Sequence, residues 1–493
     1  MFAYKVLNFQ ISQNETFLIL KREFLINIGF LILINVLIKP VYIFFIDARV
    51  QDTLGSEKYG LYFGLFNLAY ILYILTDLGM QNYSSKTIAQ DNTLLKEYLP
   101  NILGIKIFLS IFYIIAGIVF AFIAGYDMYS IRIFMLIAIN LILLSFILYL
   151  RTNIAAMGKY RLDSVISVID KLILIVVLSV FIFSPLKQTF TIYNYIYAQT
   201  FAFIIVLGLV LRINFKMINK ISIKFSIAFA KRLLKLSLPF SLVFLLMTLY
   251  MKMDGFMLER MLTTSVQAGI YAAAFRLYEG FNNIGYLFAV LLLPMFASLI
   301  QSGEKLKSLI HTSHNIMLVI SVTATIIAFL YSREIMQFLY PRTFTHEHSI
   351  LLKILMISFF AISLTYIYGT LLTAAGKISI FNKIVLTGVL VNLFLNLLLI
   401  PVYGAIGAAV ATVFTQYLVL SGQYIAGLKY FDTGFNLKLF SVRTGFFLIT
   451  ATVVYIIKFQ LTMDWIISII ISGIFSIFIA IIIGLIKFSD LKK

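Results

Sequence analysis

The chain has 493 residues; 62% are Ala, Val, Ile, Leu, Met, Phe, Trp, Tyr or Cys, and only 12% are charged. Soluble domains run at about 45–50% apolar and about 25% charged, so an ordinary water-soluble enzyme is excluded, as is a disordered chain, which needs low hydrophobicity and high charge. The net charge is +19, from 39 Lys and Arg against 20 Asp and Glu, and with no cysteine there is neither a disulfide framework nor thiol chemistry.

A membrane helix needs about 20 apolar residues. In chain order, fourteen candidate spans are predicted at 24–46, 59–80, 101–125, 128–150, 162–184, 190–211, 234–256, 268–298, 310–331, 350–373, 380–400, 404–428, 440–458 and 465–487. The first follows a polar stretch with Asn14, Glu15, Lys21 and Arg22. It is too long for a removable signal peptide and has no small-residue cleavage site; the first twenty residues carry a weak signal for lying along the membrane surface. With the N-terminus inside, 25 basic residues fall on the cytoplasmic side and 8 on the outer side. This is the bias the positive-inside rule requires. Dropping one span inverts everything downstream, so both termini are expected in the cytoplasm. The basic excess therefore records topology and does not point to nucleic acid. Outer loops are short, the longest running from about Ser332 to Ser349, and the longest inner connection, 212–235, sets lysines beside apolar residues as an amphipathic surface helix does.

That connection divides two similar halves. Gly60-Leu61-Tyr62-Phe63-Gly64-Leu65-Phe66-Asn67-Leu68 opens the second span, and Gly269-Ile270-Tyr271-Ala272-Ala273-Ala274-Phe275-Arg276-Leu277 opens the eighth; both read G-φ-Y-x-x-x-F-x-L. Ala156-Met157-Gly158-Lys159 follows span four, and Ala374-Ala375-Gly376-Lys377 follows span ten. The shifts, 209 and 218 residues, each equal six spans. An even shift gives both halves one orientation, with a pseudo-two-fold along the membrane normal and a cleft between two bundles. The expected organisation is an N-terminal six-helix bundle (1–211), a cytoplasmic amphipathic linker (212–235), a C-terminal six-helix bundle (236–428) and two further helices (429–493).

These segments also carry a family resemblance. LGSEKYGLYFGLFNLAYILYILTDLGM (54–80), LLKLSLPF (233–240), the run from Asp254 through AGIYAAAFRLYEG (268–280) and IPVYGAIGAAVATVFTQYL (400–418) resemble the polysaccharide transporters of the multidrug/oligosaccharidyl-lipid/polysaccharide exporter superfamily, most closely the Wzx-type O-antigen flippases. The resemblance covers nearly the whole chain, and it marks the family better than the substrate. It implies an all-α, MATE-like polytopic membrane protein whose two bundles expose a central cavity to each side in turn. It further implies flipping of an undecaprenyl-diphosphate-linked oligosaccharide across a bacterial inner membrane, for O-antigen or other surface polysaccharide, beside membrane lipid and a polysaccharide polymerase machinery.

Charged residues inside a bilayer are costly, about 2.5–3.5 kcal/mol each on insertion scales, and those that persist face a cavity or a partner. Lys39 precedes Pro40, whose ring kinks the first span; it either lines the cavity or snorkels to the interface. Arg276 and Glu279 share one face of span eight. They form either an internal ion pair or, through the Arg276 fork, a contact for diphosphate, and the two roles are compatible. The resemblance favours a role for Arg276. Asp170 and Lys171 are adjacent in mid-span five and point about 100° apart, which predicts that they do not pair with each other; one is expected to face the cleft, as a substrate or coupling group, and the other a neighbouring helix. Lys252 and Asp254 are expected at the rim of an outward vestibule. Lys106, Asp77 and Lys353 lie near span ends, where snorkelling is expected. Asn392 and Asn396 are expected to hydrogen-bond to a neighbouring helix.

His346-Glu347-His348, read as loop, lacks the H-E-x-x-H spacing, so no metal site is expected. No phosphate-binding loop or nucleophile elbow is present. The leading reading is thus a flippase and not an enzyme, with Lys39, Lys171 and Arg276 as a cationic cavity, Asp170 and Glu279 as coupling or ion-pair groups, no cofactor, and proton or sodium coupling left open. Its alternative is a multidrug or cation antiporter of the same superfamily, against which the cations inside the spans argue. A polymerase or ligase needs a sizeable outer loop, which the chain does not have.

Overall fold

The computed structural model describes residues 37–218, 223–302, 306–431 and 437–486. Among them it is all helix. A π-helical turn, Val41–Asp47, leads into α1 (Ala48–Leu54), then α2 (Ser56–Leu72) with a 3-10 turn Tyr73–Thr76, α3 (Met80–Gln90), α4 (Leu95–Ile123), α5 (Met128–Ala156), α6 (Tyr160–Ile182) and α7 (Ile192–Ile218). The second half continues with α8 (Ile227–Met261), α9 (Val266–Ser302), α10 (Leu306–Leu330), α11 (Ser332–Leu339), α12 (His346–Ala374), α13 (Ile378–Phe431), α14 (Leu437–Gln460) and α15 (Trp465–Ile482).

Twelve of the described helices are long and apolar enough to cross a membrane, and the chain is a multi-pass membrane protein. Helix α13 holds the two spans expected at 380–400 and 404–428. Pro401 lies inside it, and Gly404 takes φ 55° and ψ −133°, so the two run on through a kink. The first expected span lies mostly outside the described residues, as do the first twenty residues. The described part of 212–235 forms no surface helix of its own: it divides between the end of α7 and the start of α8, and between them the Lys224 amide donates to the Pro100 carbonyl at 3.0 Å.

Lipid-facing and buried positions sort as a bilayer demands. Phe108, Ile111, Phe112, Ile115, Val119 and Phe122 on α4 are each at least half exposed. The interior is instead rich in tyrosine, with Tyr59, Tyr62, Tyr195, Tyr271 and Tyr278 all buried in one cluster that spans both halves. Between apolar lipid and apolar helix there is no hydrophobic gain from association, so close packing of small residues does the work.

The repeat read from the sequence is where this packing is tightest. The two motif glycines meet: a Cβ on Gly60 would lie 1.9 Å from the Ser265 carbonyl oxygen, and one on Gly269 would lie 1.9 Å from that of Ser56. The first turns of α2 and α9 thus cross backbone to backbone. The second repeated segment is matched in detail. Gly158 (φ 78°) and Gly376 (φ 70°) both take the left-handed conformation that ends a helix, and the next amides, Lys159 and Lys377, each donate to the carbonyl five residues back, Ile154 at 3.2 Å and Leu372 at 2.9 Å.

Candidate functional site

Just beneath the Gly60–Gly269 crossing, four charged side chains alternate in sign. Pro40, which cannot donate a backbone hydrogen bond, precedes the wide π turn, and that turn delivers Asp47 to the interior with its side chain 3% exposed. Arg276, seven residues or about 10 Å along α9 from Gly269, places Nε 3.1 Å from Asp47 Oδ2 and Nη1 3.1 Å from Glu279 Oε2. Lys252 of α8 closes the chain at 2.7 Å from Glu279 Oε1. Tyrosines complete the shell of Asp47: Tyr59 donates to Oδ2 at 3.2 Å and Tyr195 to Oδ1 at 2.6 Å. The array joins the π turn, α2 and α7 of the first half to α8 and α9 of the second. Two acids and two bases leave it neutral.

At the same end Asp52 accepts from the Arg342 amide (2.9 Å), the Thr343 amide (3.0 Å) and the Thr343 hydroxyl (3.1 Å), while Gln51 donates to the Gly269 carbonyl at 2.8 Å. The buried Glu259 accepts from Tyr126 and is paired with Arg260 at 3.1 Å. This end is therefore closed by backbone contact, hydrogen bonds and ion pairs between the halves.

A second group lies in the first half. Lys39 lies within electrostatic reach of Lys171, Arg151 and Asp170. Asp163 pairs with Arg151 at 2.8 Å, so among the described residues these three cations stand against two acids, none of them fully buried. Tyr42 links the two groups: its ring lies 4.9 Å beneath Lys171 Nζ, and its hydroxyl is 3.5 Å from that of Tyr195.

Several expectations need correction. Asp170 and Lys171 do pair, at 3.1 Å: their Cβ vectors diverge, but the four-carbon lysine stem folds back far enough to meet the shorter acid. Lys106 does not snorkel. It is 0% exposed and bonds to Asp77 at 2.9 Å, Ser145 Oγ at 2.6 Å and the Thr76 carbonyl at 3.2 Å, because α4 turns that face inward. Lys252 and Asp254, expected at the rim of an outward vestibule, are enclosed in this conformation. The Lys252 side chain is 11% exposed and lies over the Phe66, Tyr70 and Phe275 rings, and Asp254 is 5% exposed. Asp254 accepts from Tyr271 at 3.0 Å, from Asn396 at 2.6 Å and from Thr412; among the described residues it has no cation within ion-pair distance. His346, Glu347 and His348 form the first turn of α12 rather than a loop, where His348 Nδ1 accepts from the Thr345 amide at 3.1 Å as part of a cap.

Asn396 bonds to α8 as expected. Sequence reasoning missed Asp47, Tyr59, Tyr195 and Arg151. Asp47 carried one usable signal, a lone acid seven residues after the proline of the first span.

A family model described as "Polysaccharide biosynthesis protein" matches residues 24–300, more than half of the chain. The chain belongs to this family. Such a member has the fold of known exporters. A lipid II flippase, MurJ, in an inward closed conformation superposes with a TM-score of 0.68 at 16% identity, covering 90% of this chain and 97% of that one. An inward-facing multidrug resistance transporter of the MATE family gives 0.58 at 14% identity, over 80% and 94%. A transporter of the same superfamily from Pyrococcus furiosus, whose binding pocket is described as of reverse polarity, gives 0.55 at 14% identity, over 83% and 94%. No curated protein matches this family member. The resemblance read from the sequence and the all-helical, MATE-like class are both borne out.

Proposed function

We propose that this protein flips undecaprenyl-diphosphate-linked oligosaccharide repeat units across a bacterial cytoplasmic membrane by alternating access, for O-antigen or another surface polysaccharide. The observation that carries the reading is the half-buried cluster of Lys39, Arg151 and Lys171, in excess over its acids and beside the junction of the halves. Diphosphate is the ligand such a cluster suits, since Arg forks onto two phosphate oxygens and Lys supplies compact charge. Membership of a polysaccharide biosynthesis family supports it, as does likeness of fold to a protein described as a lipid II flippase. A drug or cation antiporter is disfavoured, because a cationic cluster repels cationic substrates.

For Arg276 an ion pair and a diphosphate contact were both expected as compatible roles, and in this conformation it is the ion pair that is formed. The charge of Arg276 is already met by Asp47 and Glu279. In the proposed cycle it is a latch: the head group binds at Lys39 and Lys171 while the Gly60–Gly269 end is shut, and opening that end parts Arg276 from Asp47. The experiment is complementation of a deletion host. Lys39→Ala/Lys171→Ala is expected to fold normally yet accumulate lipid-linked oligosaccharide on the inner leaflet. Full surface polysaccharide from the double variant would discard the assignment of the site, and normal polysaccharide in the deletion host would discard the function.

A further inference from the structure

A large cavity among the described residues lies away from the junction of the halves. It is a groove of about 810 Å³ walled by α10, α12, the second part of α13 and α14. Its walls come from residues 310–451 alone, and none belongs to the Arg276 array or to the Lys39 cluster. Leu318, Val322, Leu364 and Phe447 make its body apolar. One end is different in kind: His311, His314, Tyr368, Tyr424 and Arg443 converge there. Arg443 donates to Asn315 Oδ1 from Nε at 3.1 Å and from Nη2 at 2.9 Å. The amide of Asn315 in turn donates to the Leu485 carbonyl at 3.2 Å, so the guanidinium is held in place from behind. His314 Nδ1 is 2.8 Å from the Tyr368 hydroxyl. No lining residue is acidic, and among the described residues Arg443 has no carboxylate within ion-pair distance.

An apolar slot ending in a positioned arginine with no acidic partner among the described residues matches an amphiphile with hydrocarbon at one end and an anionic phosphate at the other. Basic pockets between membrane helices hold lipid head groups on this principle, and guanidinium suits phosphate by its paired donors. Arg443 lies six residues, about 9 Å, inside the start of α14, which puts it at a helix end, where head groups lie. We infer that the groove is a binding site for an anionic glycerophospholipid drawn from the bilayer, with its phosphate on Arg443 and an acyl chain between α10, α12 and α14. The inference stands apart from the transport reading, because the groove shares no residue with the cluster assigned to the carried head group.

The test uses the full chain in detergent and native mass spectrometry with phosphatidylglycerol and phosphatidylcholine of the same acyl chains. Phosphatidylglycerol should be retained in preference by about tenfold, the scale of one charge-assisted contact. Arg443→Gln should erase the preference, Arg443→Lys should restore part of it, and Ala451→Phe, which fills the slot, should lower retention of both lipids. Equal retention of the two lipids by the unaltered protein, or an undiminished preference in Arg443→Gln, overturns the inference. Displacement of phosphatidylglycerol by equimolar undecaprenyl phosphate overturns it too, and gives the groove to an isoprenoid chain. If Arg443→Gln does not fold, the unaltered protein and Ala451→Phe decide the matter.

Discussion

Arg276 holds two carboxylates at once, and the burial of Asp47 makes loss of the arginine costly. Breaking a buried pair leaves a desolvated charge, at about 3–5 kcal/mol. Arg276→Gln should therefore lower the thermal unfolding midpoint, and adding Asp47→Asn should recover part of the loss; equal midpoints for the single and double variants would mean that the two do not couple. Lys106→Met should behave likewise with Asp77→Asn, and the double-mutant cycle measures the pair directly. At this scale the sequence was half legible. The Arg276–Glu279 contact follows from helical spacing, because three residues is nearly one turn. The Asp47 partner does not, because the π turn that aims it and the helix that carries Arg276 are brought together only by the packing of the halves. Lys106 was misread for a related reason: distance along a helix says how deep a residue lies, but not which face it is on.

Helices α2 and α9 can cross so closely only because each carries a glycine near its start, Gly60 and Gly269. Neither backbone has room to move aside, since carbonyl oxygens rather than flexible side chains stand where a Cβ would go. Gly269→Val should force the crossing apart. With no native cysteine, spin labels on Glu57→Cys and Thr264→Cys report the distance cleanly; the expected result is a longer, broader distribution than in the parent, and an unchanged one would show that the crossing is not the constraint. The periodic repeat announced these elements correctly, since its glycine, tyrosine and phenylalanine sit at fixed offsets from the crossing. The kink within α13 falls where the sequence set the boundary between the spans 380–400 and 404–428. The division of 212–235 between two helices was not, because an amphipathic pattern reads alike on a surface helix and on helix ends.

For the whole molecule, topology follows from charge. The 25-to-8 bias predicts that Lys58 and Lys377 lie on opposite sides, and both are exposed. Lys58→Cys and Lys377→Cys should react with a membrane-impermeant maleimide from opposite faces of sealed vesicles, Lys58→Cys from outside the cell; labelling of both from one face would refute the topology. The all-helical class was plain in the composition, because a bilayer admits few solutions to backbone hydrogen bonding. The closed end was not, for it depends on contacts between residues far apart in the chain, such as Arg276 with Asp47 and Gln51 with Gly269.

The Lys106–Asp77 pair also bears on how the chain enters the bilayer. Its members sit on consecutive spans only 29 residues apart, so neither charge need meet lipid alone if α2 and α4 leave the insertion machinery together as a hairpin. Biogenesis then has a checkpoint early in the chain: a nascent protein halted before α4 should stay bound to the insertion machinery, while one carrying Asp77→Asn should be released sooner. On that expectation the buried lysine bears on the order of insertion as well as on the finished fold.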